Sequence, residues 1–390
     1  MSRFLLGVNY WPRSSAMYMW QRFDIDEIGE DMARIKGLGL EVVRFFLTWD
    51  AFQPDARTMD ATALQRFDAV MERIAAAGLT AMPTLFCGHM SGVNWLPAWT
   101  LEREPSQGRF RTIANGAVVD RAIGDFYANP ELLSAQVLFA RRVGERVRDH
   151  PALFAWDLGN EFSNLRLPAS ARDAADWSKR LSDALLESSG AHASAGMHGE
   201  DLEQDRNLRP SSIAEPWPFA TMHGYSVYSR FARGRLDTDV VPFLCQLQQS
   251  FSGKRVLFTE FGNPECPPGS DRVNGFACLD EAEMAQYATG VFDRLRERGA
   301  LGAFWWCWAD YDLALAPLPP FDRAPHELRF GVVRSDGTFK PVAGVLADVA
   351  GSSWVAADSA PPPIAAEPEH YAGLPDSMER EYRAYCETHG

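Results

Sequence analysis

Short apolar runs of strand length alternate with stretches of helical spacing about eight times along the chain, and this alternation limits the fold more than any other feature. Repeated strand–helix units build a parallel sheet covered by helices. Eight of them predict a (β/α)8 barrel, an α/β fold in which the carboxyl ends of all the strands open onto one face. At 390 residues the chain is long enough for one such barrel with long loops on that face.

The pattern predicts strands over residues 4–9, 41–46, 80–86, 153–158, 193–197, 219–222, 255–259 and 300–306. Helices are expected over about 26–38, 60–77, 130–149, 169–188, 240–252 and 280–299. Gly37, Gly39 and Gly78 stand where helices must stop. Insertions at about 90–129 and 199–217 follow the third and fifth strands, and insertions of this kind sit on the ligand face of a barrel. Residues 330–341 contain an Asp-Gly turn and read as a hairpin, with a last helix following to Ala350. The catalytic barrel is expected over 1–350. A strap rich in Pro and Ala over 351–375 and a terminal helix over 376–389 would complete the chain.

The formal charge of −14 argues against nucleic acid or an anionic membrane as partner, and it suits a small neutral carbohydrate. No window reaches the length of a membrane span, and the first residues lack a signal-peptide pattern, so a cytoplasmic protein is expected. Cys87, Cys245, Cys266, Cys278, Cys307 and Cys386 form no C-x-x-C pair and read as scattered reduced thiols. Twelve Trp are many for this length; stacking on sugar rings is one use and core filling the other.

The chemistry is concentrated where the strands end. LFAWDLGNE closes on Asn160 and Glu161, and VLFTE closes on Glu260. The other strands end near Asn9 and Tyr10, Arg44, His89, His198, His223 and Tyr225, and Trp306. One polar strand end means little, but a whole rim of them is hard to explain as packing. Two carboxyl groups from opposite strands suit a glycosidase that works with retention, in which one is the nucleophile and the other the acid/base. Glu161 is read as the acid/base, with a pKa raised by burial, and Glu260 as the nucleophile, kept ionised by Arg44 and bonded by Tyr225. Asn160 would hold the sugar 2-hydroxyl, and Trp306 would form the floor under the ring. His89, His198, His223 and Trp95 are further candidates for substrate contact. Trp99, Asp310 and Tyr311 are weighed between pocket and packing. Glu200 and Asp201 read as a solvated face or helix start, and Asp157 as structural, its side chain opposed to the pocket or outward.

Taken together, VVRFF, GNE, HGY, FTEFG and GAFWWCW resemble clan A of the retaining glycoside hydrolases, and family 5 most of all, over roughly residues 4–350. GVNYWP, GHMSGVNWLPAW and the stretch 330–341 are similar to exo-acting β-mannosidase-like members of that family. The resemblance implies removal of a terminal β-linked sugar through a glycosyl-enzyme intermediate, with no cofactor. β-Glucosidase, β-galactosidase and endo-β-glycanase activities stay open as alternatives. So does a sugar-binding barrel without catalysis. A metal-dependent hydrolase using His89, His198 and His223 is the weaker rival, because no H-x-H closes the first strand.

Overall fold

Residue by residue, the barrel strands carry their side chains alternately inward and outward. In the computed structural model, which describes residues 3–354 and 362–389, these strands are β1 (Leu5–Tyr10), β2 (Val42–Thr48), β3 (Thr80–Cys87), β4 (Trp156–Asn160), β5 (Ala193–Gly196), β6 (Ala220–His223), β7 (Val256–Phe261) and β8 (Gly302–Trp305). They pair in the order β6-β7-β8-β1-β2-β3-β4-β5, every pair parallel. A bridge between His198 and His223 joins the two ends of the sheet, so the barrel closes at its carboxyl rim.

Helices α1 (Ile25–Gly37), α2 (Ala61–Ala76), α3 (Pro130–Arg146), α4 (Ala171–Ser189), α5 (Val240–Ser252) and α6 (Glu281–Glu297) form the outer layer. Asp24, Asp60, Asn129, Ser170 and Asp280 each accept backbone N–H bonds at the start of a helix, which stabilises that helix by about 1 kcal/mol. Between β5 and β6 the outer layer is reduced to the single turns Glu200–Glu203 and Pro210–Ile213.

The barrel interior divides along its axis. Val42, Met82, Leu257 and Phe304 make a buried apolar plug at the amino-terminal end. Two residues further along each strand, the inward positions become Arg44, Thr84 and Thr259, all buried. Stability alone would favour more aliphatic side chains there.

Several expected boundaries shift. The fourth strand was expected over 153–158, yet β4 runs Trp156–Asn160 and Leu153 makes only a bridge to Ala81. The apolar run marked hydrophobicity, whereas the ladder follows register, and Asp157 and Asn160 belong to the strand because Arg44 satisfies them inside the barrel. β7 likewise runs through Glu260. The insertion after β3 folds into its own four-stranded sheet of His89–Met90, Val93–Trp95, Arg111–Ala114 and Ala117–Val119. The stretch 330–341 turns at Gly337 (φ 87°), with the Arg334 amide donating to the Thr338 carbonyl at 2.8 Å, and α7 (Val342–Gly351) follows it.

The thiol expectation is corrected. Cys266 and Cys278 form a disulfide, leaving Cys87, Cys245, Cys307 and Cys386 free. The small hairpin of Arg272–Val273 and Phe276–Ala277 folds the loop after β7 back on itself and brings the two together, which their spacing of 12 did not reveal. Part of the expected strap is helical: α8 (Glu367–Ala372) precedes α9 (Asp376–His389), while residues 355–361 lie outside the described residues. The Tyr371 hydroxyl donates to the Asp201 carbonyl at 2.9 Å, and Tyr382 to Asp237 at 2.7 Å, so the tail packs beside the loops after β5 and β6. Among the described residues no helix is long and apolar enough to cross a membrane.

Candidate active site

Arg44 organises the carboxyl end of the barrel. It is wholly buried, and its guanidinium makes five hydrogen bonds: two to Asp157 Oδ2 at 2.9 and 2.7 Å, and one each to Asn9 Oδ1 (2.8 Å), Asn160 Oδ1 (2.9 Å) and Glu260 Oε2 (2.9 Å). A guanidinium has five N–H groups, so every donor is placed. Its close fit depends on Gly196, where an added Cβ would meet the Gly159 carbonyl at 2.4 Å and Arg44 Nη2 at 3.3 Å. Asp157 is structural as expected. Its orientation is corrected, since it points into the barrel and takes a further bond from Thr84 Oγ1 at 2.9 Å. Asn9 ties the cluster to the sheet, its amide donating to the carbonyls of Thr259 and Trp305. Tyr10 faces the helix layer instead, bonding Asp31.

Glu260 takes the Arg44 bond on one oxygen and a 2.5 Å bond from the Tyr225 hydroxyl on the other. Glu161 follows β4 in the left-handed backbone region, φ 44° and ψ 46°, a conformation costing a non-glycine residue about 1–3 kcal/mol. Its amide donates to the Gly196 carbonyl at 3.0 Å, and the Asn164 side chain donates to its Oε2 at 3.1 Å. His223 stands between the two acids, with Nδ1 at 3.4 Å from Glu161 Oε1 and 3.4 Å from Glu260 Oε2. Because Nδ1 faces two carboxylates it is assigned the proton, and the buried Nε2 has no partner among the described residues. One oxygen of Glu161, one of Glu260 and one nitrogen of His223 all lie within 4.8 Å of one another. A cation could be held by such a set, but here Arg44 already supplies Glu260 with positive charge at 2.9 Å.

The charge on Glu161 departs from expectation. Burial pushes its pKa up, but His198, His223 and His89 together outweigh burial and hold the carboxyl below its usual range. The raised pKa expected of a proton donor is therefore corrected: these surroundings lower it. Burial pushes His89 down to about 4.

These side chains line a cavity of about 540 Å³ at the carboxyl face. His89, Asn160, Glu161, His198, His223, Tyr225, Glu260 and Trp306 all reach it. Arg44 acts from beneath. Trp95 does not reach it; its ring is 7% exposed and packs perpendicular to Tyr18 at 5.3 Å, within the loop layer. Trp99 packs on Trp49. Asp310 is buried against Lys340 at 2.8 Å and Tyr311 is buried too, so neither rims the cavity. Glu200 and Asp201 open the helical turn Glu200–Glu203, the helix start expected of them, but neither presents a solvated face: Glu200 lines the cavity and pairs with Arg109 and Arg206, while Asp201 is fully buried and accepts from Ser163 at 2.6 Å. Loop residues complete the wall: Ser91, Arg109, Phe110, Tyr228, Phe276 and Glu327. Local sequence carries no sign of them, because each comes from a loop whose path depends on its neighbours.

A family model, that of glycoside hydrolase family 42 with the description beta-galactosidase, matches residues 17–180. No curated protein matches the sequence. Among solved structures the chain is similar to the exo-beta-1,4-mannosidase Op5Man5 from Opitutaceae bacterium strain TAV5, with 25% identity and a TM-score of 0.74 over 89% of this chain; the match spans 59% of that longer chain. It is similar also to GH5_18 from Streptomyces cattleya in complex with GlcNAc, with 20% identity and a TM-score of 0.79, covering 99% of this chain and 92% of that one. A beta-galactosidase from the haloarchaeon Halorubrum lacusprofundi matches with 17% identity and a TM-score of 0.60, over 91% of this chain and 60% of that one. The chain thus carries the clan A glycoside hydrolase fold that its strand-end motifs resemble.

Proposed function

We propose that this protein is a retaining β-glycosidase that removes a terminal β-linked sugar, a β-mannoside in the first instance, from short oligosaccharides or glycosides. The observation that carries the reading is the approach of Glu161 and Glu260 within 4.8 Å across His223. A carboxyl pair this close suits nucleophilic attack with retention, whereas inversion needs roughly 6.5–9.5 Å to admit a water.

In this reading Glu260 attacks the anomeric carbon while Glu161 protonates the departing oxygen. A water then displaces Glu260, with Glu161 taking its proton. Arg44 and Tyr225 hold Glu260 as an oriented anion. Arg44 also fixes the amide of Asn160, whose Oδ1 is occupied, so that Nδ2 is the group turned to other acceptors. One of its hydrogens goes to the His89 carbonyl at 3.1 Å, and the other is available to the sugar 2-hydroxyl. In this reading the proton that catalysis needs reaches Glu161 when the sugar binds. A sugar that displaces water around Glu161 raises its pKa and draws the proton onto the carboxyl group.

The mannoside preference is supported by the likeness to Op5Man5 and to a GH5_18 variant from Streptomyces cattleya in complex with Manb1-4GlcNAc. The family 42 match favours a second reading, β-galactosidase. A panel of nitrophenyl β-glycosides tests both. Release from the mannoside alone supports the first, release from the galactoside the second, and no release from any overturns the glycosidase reading. Action in the cytoplasm, the expectation from the sequence, belongs to the proposal as well, and the Cys266–Cys278 disulfide is the observation that stands against it. Thiol titration of protein taken from cells tests it, since a persistent Cys266–Cys278 bond would point to an oxidising compartment.

A further inference from the structure

Besides Glu161 and Glu260 the cavity is lined by Glu200, Glu203 and Glu327, none of which the double displacement uses; Glu200 is matched by Arg109 and Arg206, and Glu327 is the most deeply buried of the three. Glu327 lies in the turn Pro325–Arg329 after β8, lines the cavity with Glu161 and Glu260, and is 8% exposed. Its Oε2 accepts from the Ser91 hydroxyl at 2.9 Å and its Oε1 from the Tyr228 hydroxyl at 3.3 Å. The neighbouring His326 has its Nε2 3.5 Å from Oε1, but that nitrogen also meets the Tyr228 hydroxyl at 3.0 Å, and burial pushes the imidazole down to about 4. Its ring is further covered by Phe276, stacked at 4.2 Å. Among the described residues, no lysine or arginine forms an ion pair with Glu327.

Asp31 is buried to the same degree and likewise accepts from a tyrosine hydroxyl, but it lies away from the cavity, and two acids inside the barrel are treated differently. Asp157 is matched by Arg44 and Asp310 by Lys340. A carboxylate offers about four acceptor positions, and two protein hydroxyls fill only two of those on Glu327. Burial, together with the charges of Glu260 and Glu161, pushes its pKa up to about 7, so each further donor supplied by a ligand stabilises the ionised form. Ser91 and Tyr228 hold one oxygen each, which sets the plane of the carboxylate and leaves one acceptor position on each oxygen. That is the arrangement a pair of adjacent sugar hydroxyls fits.

We propose that Glu327 is a specificity-determining residue, gripping two neighbouring hydroxyls of the terminal sugar. The inference rests on the glycosidase reading above. Asn160 takes the 2-hydroxyl in that reading, so the remaining neighbouring pairs on a hexose are the 3- and 4-hydroxyls or the 4- and 6-hydroxyls. Both include the 4-hydroxyl, whose orientation separates galactose from glucose and mannose.

The test compares the preferred nitrophenyl β-glycoside with its 4-deoxy analogue on the wild-type protein, Glu327→Gln and Glu327→Ala. Calorimetric titration with the free sugar and its 4-deoxy form gives a readout independent of turnover. Wild type should lose at least about a hundredfold in kcat/KM when the 4-hydroxyl is removed. Glu327→Ala should shrink that ratio to within about threefold, by losing activity on the parent sugar, because the partner of the hydroxyl is gone. A wild-type protein that treats the 4-deoxy sugar as well as the parent overturns the inference without any variant. A Glu327→Ala protein that keeps the full ratio overturns it too and leaves the glycosidase reading standing. Sugar binding that depends on Glu327 without hydrolysis of any glycoside would uphold the inference and remove the glycosidase reading. Absence of both binding and turnover removes both.

Discussion

Glu260 and Glu327 line one cavity, yet their surroundings are opposite. Glu260 sits on the floor, at the end of β7, where Arg44 supplies a full positive charge and Tyr225 a short bond. Glu327 sits in the loop wall, where the hydroxyls of Ser91 and Tyr228 bond it and, among the described residues, no lysine or arginine pairs with it. The floor is complete before a ligand arrives, and its charges fix one another in place. The wall is incomplete, with acceptors unfilled. In the proposed reading the nucleophile is locked by an ion pair at a strand end, and the group proposed to choose the ligand is held by hydroxyls on loops.

The comparison breaks first on Glu260. Glu260→Ala should cut turnover of a nitrophenyl glycoside by on the order of 10⁴ or more, and azide should restore part of it as the inverted glycosyl azide. A variant that keeps measurable turnover without azide would place the nucleophile elsewhere. Arg44→Met comes next. It strands Asp157 in the barrel, and breaking a buried pair from one side costs about 3–5 kcal/mol. Adding Asp157→Asn should recover much of the melting temperature but little of the turnover, because Glu260 still lacks its cation. Recovery of both would mean that Arg44 serves the fold alone.

Glu161→Ala should slow substrates with poor leaving groups by about 10²–10⁴ and spare the first step for good ones. Equal loss on all leaving groups would contradict its role as proton donor. The wall should respond more gently, and mostly through KM. Cys266→Ser with Cys278→Ser opens the loop that carries Phe276, so KM should rise while kcat holds, with a stability loss of roughly 2–3 kcal/mol. An unchanged KM would show that Phe276 stays in place without the bond.

The contrast between floor and wall also separates what could be read early from what could not. Arg44, Asn160, Glu161, His223, Tyr225, Glu260 and Trp306 announced themselves because a polar or aromatic residue at the end of an apolar strand has few purposes in a barrel. Trp95 misled, since an aromatic in an insertion has no fixed phase and its ring packs against Tyr18 instead. Glu327 was silent because HEL after a proline-rich loop resembles any surface turn. The lowered pKa of Glu161 was equally hidden, as His89, His198 and His223 come from three different strand ends.

Alternation of apolar runs with helical periods determined, from sequence alone, that the chain forms a parallel barrel and that its polar strand ends share one face. Strand periodicity is local, so it survives without coordinates. Tertiary structure decided the rest: that Arg44 spends all five donors on four partners, that two cysteines in the loop after β7 meet, and that a glutamate from the last loop turns inward beside a serine from the third. Those facts depend on loops whose paths are set by packing between distant segments, and no stretch of sequence encodes such a path by itself.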